Sequence, residues 1–166
     1  MIFIITGPQH SGKTTLLMKT ANKLRKKHIQ TEGFLSLAVI RDQNVSGYDL
    51  FDLKEQKSIP FIRRNGDKEW EKIGPFYFIP QGLAHAKKLI LLSKEDSVLI
   101  IDEIGPLELK GQGFWPAIKH VIFSDWRIFL VVVRRSILND FLNIINEKPV
   151  EIFDVKIGNI FSKKLK

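Results

Sequence analysis

The eight residues Gly7-Pro-Gln-His-Ser-Gly-Lys-Thr14 constrain this chain more than any other stretch. They fill every fixed position of the pattern G-x-x-x-x-G-K-T, whose spacing carries a mechanism. A short apolar run, Ile2 to Ile5, precedes them and reads as a buried strand that delivers the loop to the edge of a sheet. Successive backbone N–H groups of such a loop form a nest for an anion, and the helix that follows aims its positive end at the same group. After Lys13, the residues Leu17, Ala21 and Leu24 recur at helical spacing, while Lys19, Lys23 and Lys26 fall on other faces. Gly12 has no side chain to keep the backbone from a phosphate. Lys13 supplies a cation for the β- and γ-phosphates, and the Thr14 hydroxyl is a hard oxygen suited to Mg²⁺. The expected phosphate-binding set is therefore Gly7, Pro8, Gln9, His10, Ser11, Gly12, Lys13, Thr14 and Thr15.

A second stretch answers the first. Ser97-Val-Leu-Ile-Ile-Asp-Glu-Ile-Gly105 is an apolar strand with an acidic end. In a parallel sheet that end lies at the same edge as the phosphate loop. Asp102 is positioned to hold Mg²⁺ with Thr14, and Glu103 to polarise an attacking water. If strand pairing persists to this point, the two carboxylates point to different sides. The neighbours Leu99, Ile100, Ile101, Ile104 and Gly105 are grouped with them as nucleotide-contacting, and Glu108 reads as a surface residue.

The remaining chain alternates strands and helices. Gly33 reads as the end of the first helical region, and Phe34 to Ile40 as a parallel strand. Arg41 and Asp42 follow it and read as a solvated strand end. Two short β runs around Lys54-Glu-Gln-Lys57 suggest a hairpin insert, with Pro60 marking its second strand as an edge. Helices are expected from Gln81 to Ser93, from Phe114 to Phe123, and from Ile137 to Ile145 with Ser136 as its cap. Ile128 to Val133 is a further buried strand ending in Arg134-Arg135; Arg134 is the expected counter-charge in the transition state, with Arg135 as the alternative. Val150 to Val155 reads as a last strand before a short basic tail.

Composition bounds the rest. A chain of 166 residues fits one domain, residues 1–166, and is long enough to bury a core. There is no Cys, no run long enough to cross a bilayer, and no basic segment ahead of an apolar stretch at the N-terminus. A cytoplasmic monomer without membrane partners is the expectation. The four histidines show no metal spacing. A net charge of +8 suits a groove for polyanionic nucleotides; it also keeps open a nucleic-acid-associated nucleotide-binding module, which the absence of any recognisable nucleic-acid motif disfavours.

Taken together, the phosphate loop, the Gly33-Phe strand with its hairpin, Asp102-Glu-Ile-Gly-Pro-Leu-Glu108 and the later strand–helix unit occur in one order. That combination resembles the small P-loop nucleoside-triphosphatase family of the thermophilic NTPases and the human cancer-related NTPase. The resemblance implies an α/β fold: three layers, a RecA-like, mainly parallel sheet with helices on both faces. It also implies Mg²⁺-dependent hydrolysis of several nucleoside triphosphates, ATP and GTP among them. From the motifs themselves, Lys13, Glu103 and Arg134 are the expected catalytic residues. A nucleotide or nucleoside kinase uses the same loop; Glu103 directly after Asp102 favours water, and only Arg63-Arg64 offers an arginine lid. This sequence departs from the family in two places: His10 replaces a usual Gly, and Asn159-Ile160 replaces a usual Asn-Arg.

Overall fold

Period-two alternation in the apolar strands decides which side chain enters which layer. The structure, a computed structural model, describes residues 1–124, 127–146 and 148–163; the side chains at 124 and 159–163, including Asn159 and Ile160, and all of 164–166 lie outside the described residues. β1 (Ile2–Thr6) leads through the phosphate loop into α1 (Lys13–Lys26). Next come β2 (Thr31–Arg41), β3 (Asn44–Asp52), β4 (Lys57–Arg63), β5 (Lys72–Ile73) and β6 (Phe76–Phe78). The second half holds α2 (Pro80–Leu91), β7 (Val98–Ile104), the single turn α3 (Pro106–Leu109), α4 (Trp115–Ser124) and β8 (Ile128–Val133). It ends with a 3₁₀ turn (Arg135–Ile137), α5 (Leu138–Ile144), β9 (Val150–Asp154) and β10 (Gly158–Lys163).

The described strands form one sheet, ordered β10-β9-β1-β8-β7-β2-β3-β4-β6-β5. Its centre, β9-β1-β8-β7-β2, is parallel throughout, and one strand, β8, separates the loop-bearing β1 from the acid-bearing β7. Antiparallel strands extend it at both ends. Ile4, Phe34, Leu99, Ile101, Phe129 and Val131 face a core closed by α2, α4 and α5. Their neighbours Ile5, Leu35, Val98, Ile100, Leu130 and Val132 face a smaller core closed by Leu17 and Ala21 of α1. Each fully buried large apolar side chain contributes about 1.5–3 kcal/mol. None of the described helices is long and apolar enough to cross a membrane.

Several expectations shift. The hairpin insert is not a separate appendage, because β3 pairs with β2 along nearly its whole length and carries the main sheet onward. Asp42 and Gln43 form the β2–β3 turn with positive φ, far along the hairpin from the phosphate loop. β4 is an interior strand, yet β6 pairs with it only at Ile62 and Arg63, so the missing N–H of Pro60 leaves no bond unmade on that side. Ser136 does not cap a helix; it lies in the 3₁₀ turn ahead of α5. The basic tail becomes β10, which pairs antiparallel with β9.

Gly33 lies inside β2 and does not end the first helix. Its φ is +95°, and a Cβ there would stand 2.0 Å from the carbonyl oxygen of Ile100 on β7. Side chains other than Gly are excluded twice, by conformation and by space. Gly33→Ala should therefore cost about 3–5 kcal/mol through strain and overpacking. Urea unfolding measures it, and a loss below about 1 kcal/mol would refute the close approach of β2 to β7.

Candidate active site

The parallel register brings the C-terminal ends of β1, β8, β7 and β2 to one edge, and side chains tie that edge together. Thr6 Oγ1 donates to the Val133 carbonyl at 3.0 Å, linking β1 to β8. The Arg134 N–H donates to the Ile104 carbonyl at 3.1 Å, linking β8 to β7. The Ser36 N–H donates to Asp102 Oδ2 at 3.2 Å, and Ser36 Oγ donates to the Asp102 carbonyl at 3.0 Å, linking β7 to β2.

The phosphate loop rises from this edge. Gly12 is the N-cap of α1 in the left-handed region, φ +84°, which glycine reaches without steric cost. His10 occupies the same region at φ +56°, which costs a residue other than glycine about 1–2 kcal/mol. Lys13 Nζ donates to the Pro8 carbonyl at 2.6 Å and more weakly to that of Gly7, which folds the ammonium over the concave side of the loop. Ser11 Oγ is buried there without a hydrogen-bond partner. An orphaned hydroxyl and a cation held only by carbonyls are the features of a cradle for an anion. Thr15 is exposed on α1, and Gln9 and His10 are exposed on the loop.

Asp102 is only 3 % exposed. Burial pushes its carboxyl up to about 6, against the opposing pull of hydrogen bonds from Thr14 and the Ser36 backbone and of the nearby Lys13 charge. Thr14 and Asp102 thus pair two hard oxygens at the mouth of the loop. Their oxygen chemistry fits Mg²⁺, which takes one or two protein ligands and completes its shell with phosphate and water. Leu99, Ile100, Ile101 and Ile104 do not meet the expectation of nucleotide contact: all four are fully buried in the sheet and leave no surface for a ligand. Gly105 instead donates its N–H to Glu108.

Glu103 departs from the simple strand. Its φ is +118°, and one extra residue of β7 is accommodated opposite β8 between Ile101 and Ile104. This bulge overturns the expectation that the two carboxylates face different sides: Asp102 and Glu103 line the same cavity. Arg134 Nε bonds Glu103 Oε1 at 2.8 Å, whereas Arg135 pairs with the buried Asp154 on β9. Of the two arginines, Arg134 is the one that lines this cavity. Arg63 forms no lid, because it is held by Asp49 at 2.6 Å and by the Tyr48 carbonyl.

Three residues that sequence reasoning passed over complete the cavity, which measures about 220 Å³. Ser36 was the one hydroxyl in an apolar run. Tyr48 faces Glu103 and Arg134, and its phenol pKa is raised mainly by burial. Glu108 is 1 % exposed, not a surface residue. Its signal was the spacing Gly105-x-x-Glu108, in which the carboxylate reaches back to cap its own helix start at 2.9 Å. A larger apolar groove of about 520 Å³ lies beside α1, lined by Phe3, Leu24, Ile128 and Phe153, on the other face from this chemistry.

The family description "NTPase" matches residues 2–161. The chain belongs to the NTPase family. Among its relatives, the nucleoside-triphosphatase THEP1 of Methanosarcina barkeri is 29% identical over 170 residues, covering 95% of each chain. That of Methanosarcina acetivorans is 30% identical over 139 residues, 80% of this chain and 75% of the relative. The solution structure of a human cancer-related nucleoside triphosphatase superposes with a TM-score of 0.73 at 24% identity, over 92% of this chain and 87% of that one. The crystal structure of THEP1 from Aquifex aeolicus gives 0.68 at 22% identity, over 93% and 90%. These two likenesses establish the α/β P-loop NTPase fold.

Within this NTPase, Glu108 generates a pH prediction. Burial pushes its carboxyl up to about 7 from 4.5, with the Gly105 N–H pulling the other way. The folded protein then holds this proton more tightly than the unfolded chain, so stability is fully present below about 4.5 and falls as pH rises through about 7. The ionised form costs roughly 3 kcal/mol. Melting of the nucleotide-free protein should drop between pH 5 and pH 8, and Glu108→Gln should shrink that drop. An unchanged pH dependence in the variant would assign the effect elsewhere.

Proposed function

We propose that this NTPase is a Mg²⁺-dependent phosphohydrolase that converts nucleoside triphosphates of broad base range to diphosphate and phosphate, working as a single domain over residues 1–166 and as a cytoplasmic monomer. The observation that carries the mechanism is the bulge at Asp102–Glu103, which turns both carboxylates into one cavity beside the phosphate loop. Lys13 leaves its loop carbonyls for the β- and γ-phosphates, and Ser11 Oγ and the loop N–H groups take up the remaining phosphate charge. Thr14 and Asp102 would hold Mg²⁺, which when bound would supply neutralisation of phosphate charge. Glu103 accepts a hydrogen bond from a water and orients it for in-line attack on the γ-phosphorus. Arg134, already bonded to Glu103 through Nε, turns its terminal nitrogens toward the charge that develops on the transferred group.

A regulatory nucleic-acid module gains no support from the arginines around the cavity, because Arg134 is paired with Glu103, Arg63 with Asp49, and Arg64 lies over the Phe76 ring at 4.8 Å.

Glu103→Gln keeps size and hydrogen bonding but removes the acceptor strength of the carboxylate. Hydrolysis of ATP should fall about 100-fold or more, with Mg²⁺–ATP binding retained. A parent-like rate would remove Glu103 from the chemistry. Lys13→Ala should instead abolish tight ATP binding, since the phosphate charge loses its cation, and calorimetry that finds unchanged affinity would contradict the loop assignment.

A further inference from the structure

The nucleoside of a bound triphosphate needs a place, and the strand order fixes the side on which it lies. The cavity that holds Glu103 and Arg134 lies over β7 and the strands beyond it, whereas the phosphate loop rises from β1. With the γ-phosphate at that cavity and the β-phosphate over the loop, an extended triphosphate points its nucleoside onward, past β1. The next strand on that side is β9.

The turn that leaves β9 is built against the loop. The Val155 N–H donates to the Thr6 carbonyl at 3.1 Å. The Val155 side chain lies so close to Gly7 that a Cβ there would stand 2.5 Å from Val155 Cγ2. Asp154, fully buried, accepts from the Lys156 N–H at 2.9 Å and pairs with Arg135, which reaches over from the end of β8. Asp154 stands level with Thr6 in the β1–β9 register, so this ion pair crosses the strand that carries the loop. The Ile157 N–H donates to the Asp154 carbonyl at 3.2 Å, and Gly158 continues the turn at φ +93°. These bonds hold the turn in one position relative to the phosphate loop.

On that turn stands Ile157, 72 % exposed, more than any other large apolar side chain among the described residues. A single exposed isoleucine is ordinary on a protein surface. This one sits at the C-terminal edge of the parallel strands, where open α/β sheets bind their ligands, on a segment fixed to the phosphate loop.

We infer that Ile157, braced by Val155, is the seat of the nucleobase: the base lays one flat face on the isoleucine side chain. The inference rests on the proposed placement of the γ-phosphate beside Glu103. An aliphatic platform takes apolar ring surface out of water whichever base is bound, so it adds affinity without choosing among bases. A phosphohydrolase of broad base range requires a contact of that kind. Asp154 and Arg135 do not touch the base; they are positioning residues that keep the turn beside the loop.

The test uses the full chain with Mg²⁺ and the β,γ-imido analogues of ATP and GTP, together with inorganic tripolyphosphate, which carries the phosphates without a nucleoside. Calorimetry measures binding. Ile157→Ser should weaken both analogues to a similar extent, about fivefold, and leave tripolyphosphate unchanged. Ile157→Trp offers a larger platform and should tighten both analogues. Its added indole fluorescence, read against the parent protein, should be quenched by the ATP analogue and not by tripolyphosphate. The exposure of Ile157 keeps both substitutions out of the core. Unchanged analogue affinity in Ile157→Ser, a loss shared equally by tripolyphosphate, or an indole blind to the analogue would each overturn the seat. A parent protein that binds tripolyphosphate as tightly as the analogues would overturn it too, because the base would then contribute nothing. The expected binding pattern in a protein that does not turn over ATP would refute the hydrolase reading and leave the seat standing.

Discussion

The site depends on keeping one carboxylate, Asp102, ionisable where almost no water reaches it. Burial opposes its charge, and hydrogen bonds from Thr14 and the Ser36 backbone, with the charge of Lys13, restore part of what is lost. These groups come from three elements: Lys13 and Thr14 from α1, Ser36 from β2, and Asp102 itself from β7. They converge only because the central strands run parallel and end at one edge. The arrangement is therefore not a local motif that any strand–turn–helix supplies. A shift of β2 against β7 by one residue would turn Ser36 to the other face and leave Asp102 with one partner fewer. Gly33 guards that register, because its missing Cβ lets β2 lie against the Ile100 carbonyl. A glycine remote from the cavity thus sets the geometry of the carboxylate proposed to hold the metal.

Much of this was legible in the sequence because it is carried by short-range chemistry. The phosphate loop is contiguous, and its positions follow from phosphate geometry alone. The acidic strand end is contiguous as well, and the two motifs constrain one another through the parallel sheet. The residues that escaped notice act across the chain. Ser36 contributes through a strand pairing, Tyr48 through the β3 extension of the sheet, and Glu108 through a helix of a single turn that buries it. A lone Glu after Pro-Leu carries no periodicity by which burial is read. The hairpin insert was legible as strands, but its union with the main sheet rests on long-range pairing that no local pattern encodes. Leu99, Ile100 and Ile101 erred in the opposite direction: membership of a motif placed them near the nucleotide, whereas their apolar character places them in the core.

Glu103 shows how a strained backbone becomes a functional device. A residue other than glycine at φ +118° costs about 1–3 kcal/mol, which the surroundings must offset. They do so on both sides: Ile104 resumes pairing with Val133 and accepts a bond from the Arg134 N–H, while Arg134 Nε holds the Glu103 carboxylate. Without the bulge, Asp102 and Glu103 would alternate across the sheet, and only one would reach the cavity. The extra residue converts a strand's alternation into two adjacent carboxylates with separate environments. Asp102 is buried and bound by donors, whereas Glu103 is 40 % exposed and paired with one movable arginine. That difference suits one to a fixed metal and the other to a nucleophile that must enter, lose a proton and leave. The same argument locates the fragile point of the site: relaxing the bulge would leave the loop between β1 and α1 in place and would turn away the carboxylate proposed to orient the attacking water.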